Sequence, residues 1–432
     1  MYLKRKIDTF LADWKKDPAQ MPLIVRGARQ VGKTEAIRNF AKANYKNVIE
    51  INFVEEPQYK GIIEEGFKTE SIIKLISRLN PSHRFIPGET LIFFDEIQEF
   101  PEIATSLKFF QINGCYDVIC SGSLLGIQQK RIESNSVGYK TDYTMRSFDF
   151  EEFLWAIGYP EDIADDMLSH MTDNKPFTQA ELTKYFSLFM DYILLGGMPA
   201  VLRAYVTTQT FERTIQIQKQ LLLDYQEDIQ KYAEGLDKAK ILAVFNHIAP
   251  QLAKENKKFQ FSKIAKGARS REYFGCVQWL LDAGVISSCY CLNFPELPLK
   301  GNYNESKYKL YIADTGLLLA LFGFSTKKAL LNGTLKGFAK GGIYENFVAE
   351  TLTKNGYSLH YYKPNDSSEL EFIIEKDGEV IPIEVKAGNS PTKSLDSFVE
   401  EFEPTVAFKL IGGNVGRNNK KLTIPHFLAM YI

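Results

Sequence analysis

Met21-Pro22-Leu23-Ile24-Val25-Arg26-Gly27-Ala28-Arg29-Gln30-Val31-Gly32-Lys33-Thr34 places an apolar run directly before Gly27–Thr34, a full match to G-x-x-x-x-G-K-[ST]. An amphipathic stretch, Lys33 to Ala43, follows it. Strand, glycine loop and helix in that order make a phosphate cradle. The glycines let the backbone curl, so that successive N–H groups point inward at the N-terminus of the helix. Lys33 is expected to neutralise the β and γ oxygens of ATP, and the Thr34 hydroxyl to ligate Mg²⁺. The expected nucleotide contacts are therefore Gly27, Ala28, Arg29, Gln30, Val31, Gly32, Lys33 and Thr34.

Working outward, the apolar runs MPLIV (from Met21), NVIEINF (Asn47), ETLIFF (Glu89) and CYDVIC (Cys115), with a more polar VGYKTDYTMR (Val137), read as five strands. Helices are expected between them, at about Lys33–Ala43, Tyr59–Arg78 and Pro101–Gln111. That alternation predicts a parallel sheet covered on both faces. LIFF runs straight into Asp95-Glu96, which sets both acids at the carboxyl edge of the sheet, where phosphates also sit. Asp95 is expected to hold Mg²⁺, and Glu96 to orient or deprotonate the attacking water. Ser121, at the tip of the next strand, is the preferred γ-phosphate sensor over Ser123, although turn chemistry accounts for Ser121-Gly122-Ser123 equally well. Arg146 is the first candidate for a cation at the γ-phosphate, with Arg29, Arg131 and Arg203 as others.

Beyond the sheet the pattern turns helical. EEFLWAIG, ELTKYFSLFMDYILLGG and TIQIQKQLLLDYQEDIQKY suggest a lid over residues 148–236. Residues 237–336 read as helix, basic helix (FSKIAKGA), helix and hairpin, the outline of a winged helix. In the third helix Phe274, Val277, Leu280 and Leu281 fall at helical spacing. Residues 337–432 give, after Gly341-Gly342, a helix, three strands with a hairpin turn at Asp377-Gly378, a helix and a strand.

The motif order, together with YTMRSFDFEEFL, LLGGMPAVL, KLYIADTGLLLAL and GGIYENFVAETL, resembles the prokaryotic AAA-type ATPases whose C-terminal half is the domain of unknown function 4143. The resemblance covers nearly the whole chain. It implies an α/β fold: an AAA-type P-loop NTPase core (residues 1–147) with a helical lid, a winged-helix segment and a small α/β domain like a restriction endonuclease. Ser147 departs from the family pattern, which has proline after the arginine.

In that last domain Glu345 lies on the first helix, Glu371 on the second strand, and Glu384 and Lys386 on the third. The arrangement resembles the PD-(D/E)-x-K nuclease core, with Glu371 in place of the usual aspartate. Glu384 and Lys386 are two apart and share a face. Clustered carboxylates there would hold Mg²⁺ or Mn²⁺. Three readings stand: an active nuclease, a nuclease fold used for binding, and a wet sheet face.

A net charge of −1 leaves no long-range field toward nucleic acid, so any DNA contact must be local. Residues 254–271 offer one, with Lys254, Lys257, Lys258, Lys263, Lys266, Arg269 and Arg271 against the single acid Glu255. Lys409 to Lys421 adds a second stretch without acids. The five cysteines show no C-x-x-C pair, which argues against a disulfide framework or a zinc site. No apolar stretch approaches 18 residues, and the N-terminus lacks a signal-peptide core. A cytoplasmic ATPase, assembled as a homo-oligomer and without a membrane partner, is the expectation. Its alternatives are a nucleotide-regulated nuclease and a non-hydrolysing switch.

Overall fold

The computed structural model describes residues 1–123, 136–233, 235–366, 368–388 and 391–432. The first five strands are β1 (Leu23–Gly27), β2 (Asn47–Asn52), β3 (Thr90–Asp95), β4 (Asp117–Ser123) and β5 (Thr141–Thr144). They form one parallel sheet in the order β2-β3-β4-β1-β5. β3 is buried at every position because its side chains divide between two cores. Leu91 and Phe93 pack with Leu23, Val25 and Ile119 beneath the helices Lys6–Lys16 and Lys33–Asn44. On the other face Ile92 and Phe94 pack with Ile24, Ile49, Ile51 and Cys120 beneath Thr69–Leu79 and Leu107–Asn113. Successive strand residues face opposite sides, so an unbroken apolar run belongs where both sides are covered.

Two expected helices are shorter than the spacing predicts. Tyr59–Arg78 resolves into a 3₁₀ turn at Pro57–Gly61 and a helix at Thr69–Leu79, separated by Gly66 at φ +100°. Pro101–Ser106 is also 3₁₀, and the α-helix begins only at Leu107.

The chain forms two compact units, the first comprising Met1–Ser147 with Asp282–Gly284 and the second the remainder. The second opens with helices at Phe150–Ala156, Ile163–Thr172, Gln179–Leu195, Pro199–Thr208 and Glu212–Tyr232. Asp149 and Thr178 start the first and third of these through capping boxes with Glu152 and Glu181. The helix Lys238–Leu252 comes next. FSKIAKGA is a single 3₁₀ turn, Phe261–Lys263, rather than a helix, and Gly267 follows it at φ +80°. In the helix Ser270–Asp282 the buried stripe is Tyr273, Cys276, Val277, Trp279 and Leu280. Phe274, expected within that stripe, is 65% exposed.

The hairpin β6 (Ile286–Leu292) and β7 (Tyr303–Ile312) does not stand alone. β6 pairs in parallel with β8 (Leu359–Asn365), so residues 237–336 and 337–432 contribute to one sheet of eight strands. Its other strands are β9 (Ser368–Lys376), β10 (Glu379–Val385), β11 (Ala407–Ile411), β12 (Gly416–Asn418) and β13 (Lys421–Pro425), in the order β12-β13-β11-β10-β9-β8-β6-β7. Asp377 and Gly378 both take positive φ, as a two-residue hairpin turn requires. Gly341 and Gly342, expected to precede the helix, lie inside it, since it runs from Gly337 to Lys354.

Three distant motifs meet in a buried polar knot of this unit. The Asp314 carboxylate accepts from the Gly197 N–H at 2.7 Å and the Leu317 N–H at 3.1 Å. Glu350 accepts from the Thr315 N–H and hydroxyl at 2.7 and 2.6 Å, from the Tyr192 hydroxyl at 3.0 Å, and from Lys354 at 2.5 Å. LLGGMP, IADTGL and YENFVAE are therefore one buried network, in which each charged group is hydrogen-bonded.

Candidate functional site

β1 ends at Gly27, and a Cβ at this position would lie 2.1 Å from the Met145 carbonyl oxygen. Only glycine fits against that backbone. The loop then turns through two residues of left-handed φ, Gln30 at +62° and Gly32 at +95°. Alternation of this kind turns successive N–H groups toward one point and forms an anion nest. Gly32 caps the helix that begins at Lys33. A buried arginine that sequence reasoning missed, Arg5, braces the loop: Nη1 donates to the Val31 carbonyl at 3.0 Å and Nη2 to the Arg146 carbonyl at 2.7 Å.

The Lys33 ammonium donates to the carbonyls of Gly27 (3.1 Å) and Ala28 (2.9 Å). Burial draws it down to about 8, against the pull of Glu96 and Asp95, with Arg29 adding to the fall. Thr34 Oγ1 donates to Asp95 Oδ2 at 3.0 Å. A hydroxyl and a carboxylate oxygen thus meet where β3 ends, and both are hard donors suited to Mg²⁺. Thr34 and Asp95 would hold that ion, which would supply charge neutralisation at the phosphates. Asp95 is itself fixed from several sides. Ser121 Oγ donates to Oδ1, the Glu96 N–H donates to the same oxygen at 3.0 Å, and Asn52 Nδ2 reaches Oδ2 at 3.4 Å. Ser121, read as a sensor, is thus engaged with Asp95. Glu96 stands at φ +56°, a strained conformation for a non-glycine residue of the kind that concentrates at functional sites.

Three family models match parts of the chain. Residues 19–154 match the family model described as an AAA domain, 340–424 match the domain of unknown function DUF4143, and 187–328 match the domain of unknown function DUF8612. The chain thus carries an AAA domain near its start and the domain of unknown function DUF4143 in its C-terminal region. A search of curated proteins finds no match. Among solved structures, the chain is similar to a Walker-type ATPase of Pyrococcus abyssi at 14% identity and a TM-score of 0.44, covering 74% of this chain and 96% of that one. It is also similar to the ORC1 protein of Aeropyrum pernix in complex with DNA (11%, TM-score 0.28, 76% and 92% covered). A third likeness is to the RuvB branch migration motor of Thermotoga maritima (11%, TM-score 0.29, 68% and 88% covered).

The arginine candidates separate. Arg146 directly follows the carbonyl that presses on Gly27 in the AAA domain, and burial lowers its pKa. Arg29 lies on the loop close enough to depress Lys33. Arg203 is exposed on the helix Pro199–Thr208 of the second unit. Arg131 lies outside the described residues.

In the C-terminal region the structure does bring Glu345, Glu371, Glu384 and Lys386 onto one side of the sheet, but it places ammonium groups between the acids. Lys309, fully buried on β7, reaches Glu345 at 2.8 Å and Glu369 at 2.7 Å. Lys257 holds the other Glu345 oxygen at 2.9 Å, and Tyr311 donates to Glu345 at 2.6 Å. Lys386 lies 2.7 Å from Glu384 and 3.1 Å from Glu371. Burial alone would lower Lys309, yet Glu345 and Glu369 outweigh it and hold the ammonium well above its ordinary range. Burial, helped by Glu345 and Glu384, pushes Glu371 above the usual carboxylate range despite Lys386. Among the described residues no three His, Cys, Asp or Glu side chains converge as a metal set. A donor set whose acids already bond lysines does not fit Mg²⁺ or Mn²⁺. Lys309 and Glu369 were missed because neither falls in the motif pattern.

Lys257, counted in the basic segment, is committed to Glu345, whereas Lys254, Lys263, Lys266, Arg269 and Arg271 are exposed. No helix of the described residues is long and apolar enough to cross a membrane.

Proposed function

We propose that the AAA domain binds ATP with Mg²⁺ through Gly27–Thr34 and hydrolyses it, Glu96 acting on the attacking water. The observation that carries this reading is the 3.0 Å bond from Thr34 to Asp95, which joins the ends of the two motifs at one point beside Lys33 and Glu96. Binding alone would not call for a second acid held in a strained conformation at that point. Glu96→Gln is expected to keep ATP affinity within about twofold and to lower kcat by two orders of magnitude or more, on the order of 3 kcal/mol in the barrier. Lys33→Met is expected to lose ATP binding with the fold intact, as read by nucleotide titration and circular dichroism. Tight ATP binding by Lys33→Met would overturn the site, and wild-type turnover by Glu96→Gln would overturn the role of Glu96.

The five exposed basic side chains between residues 254 and 271 support DNA as a partner of the second unit. Its acid and lysine pairs support a binding role over metal-dependent cleavage. ATP turnover measured with and without DNA at rising salt tests this, because phosphate contacts weaken steeply with salt.

A further inference from the structure

Immediately after Glu96 the chain makes one 3₁₀ turn, Ile97–Glu99, which buries Gln98. Both ends of its amide are used. Nε2 donates to Glu96 Oε2, and Oε1 accepts the Ser123 N–H at 3.1 Å. Ser123 is the last residue of β4, the parallel neighbour of β3. The tip of β4 is thus tied twice to the acidic pair: directly from Ser121 to Asp95, and through Gln98 to Glu96. The amide thus bonds a carboxylate that also attracts the Lys33 ammonium of the phosphate cradle.

We propose that Gln98 is a positioning residue for ATP turnover, fixing the Glu96 carboxylate against the tip of β4. The proposal rests on Glu96 acting on the attacking water. A glutamine suits the task because it offers a donor and an acceptor on one rigid plane; a carboxylate in its place keeps the acceptor but repels Glu96, and a thioether offers no donor and only a weak acceptor. The Glu96 backbone is held in a left-handed conformation and leaves the carboxylate's aim to its side-chain torsions, which the Gln98 amide restrains.

The test uses the full chain and compares Gln98→Glu, Gln98→Met, Glu96→Gln and the Glu96→Gln/Gln98→Glu double variant. Each is measured for ATP affinity, KM, kcat and thermal midpoint. Gln98→Glu is expected to bind ATP and show KM within about twofold of wild type, while kcat falls about 10- to 100-fold, the cost of a misplaced catalytic group. The double variant is expected to be no slower than Glu96→Gln alone, since the amide acts only through that carboxylate. Should Gln98→Met fold poorly, Gln98→Glu, nearly identical in shape, carries the comparison. Wild-type kcat in Gln98→Glu overturns the proposal, as does a loss of ATP affinity matching the loss of turnover, which would mark a structural role. Undiminished turnover in Glu96→Gln sinks the role of Glu96 instead, and is read from a separate variant.

Discussion

At the scale of single residues, the Lys33 ammonium has two opposed demands. It must be charged to meet phosphate, yet burial against the carbonyls of Gly27 and Ala28 draws it down to about 8. Its folded value lies below the ordinary 10.5, so between about pH 8 and pH 10.5 the unfolded chain binds more protons. This group's contribution to the stability of the free protein therefore rises with pH across that window. Nucleotide binding has the opposite dependence. Above pH 8 a bound polyanion must draw a proton onto Lys33, so ATP affinity is expected to fall as pH rises through 8, approaching tenfold per unit. Calorimetry in buffers of different ionisation enthalpy should show uptake of up to one proton at pH 9 and little at pH 7. A flat affinity between pH 7 and 9.5 would falsify this account. The residues the motif pattern singled out, Lys33, Thr34, Asp95 and Glu96, were legible because their chemistry is local in sequence. Arg5 and Gln98 were not, since the partners of Arg5 lie 26 and 141 residues away and Gln98 acts across to the neighbouring strand.

At the scale of elements, strands were easier to read than helices. LIFF and VIC announced buried strands because apolar runs without alternation suit only a sheet covered on both faces. The helices over Tyr59–Arg78 and Pro101–Gln111 came out too long, because apolar spacing continues through 3₁₀ turns that bury the same face. The C-terminal acids show a different limit. Period-two spacing correctly set Glu384 and Lys386 on one side, but no spacing could reveal that Lys309, from another hairpin, would fill the space between Glu345 and Glu369. That pairing makes a prediction. Lys309→Met should remove the cation that Glu345 and Glu369 share, leaving Lys257 and Tyr311 on Glu345 and Lys363 on Glu369, and destabilise the second unit by about 2–3 kcal/mol, and Glu345→Gln added to it should recover part of the loss. Urea unfolding of the single and double variants measures both. A change below about 1 kcal/mol would mean that water reaches the acids.

At the scale of the whole molecule, the outline of a parallel P-loop sheet followed by helices and a second α/β region was present in the sequence. What it concealed was the seam. β6–β7 reads as a self-contained wing because a hairpin is a local object, whereas its parallel partner β8 begins only at Leu359, far along the chain from the end of β6 at Leu292. This long-range pairing has a consequence for synthesis. As the chain leaves the ribosome, the apolar strand Ile286–Leu292 has only β7 beside it, and its other edge carries open N–H and C=O groups until residue 365 has emerged. A chain ending at residue 336 should therefore self-associate under conditions in which the full chain stays dispersed, as read by light scattering. Charged substitution on the exposed edge of β6 should relieve it. Production of this protein thus has a vulnerable interval set by translation speed, and slow codons between β7 and β8 would lengthen it.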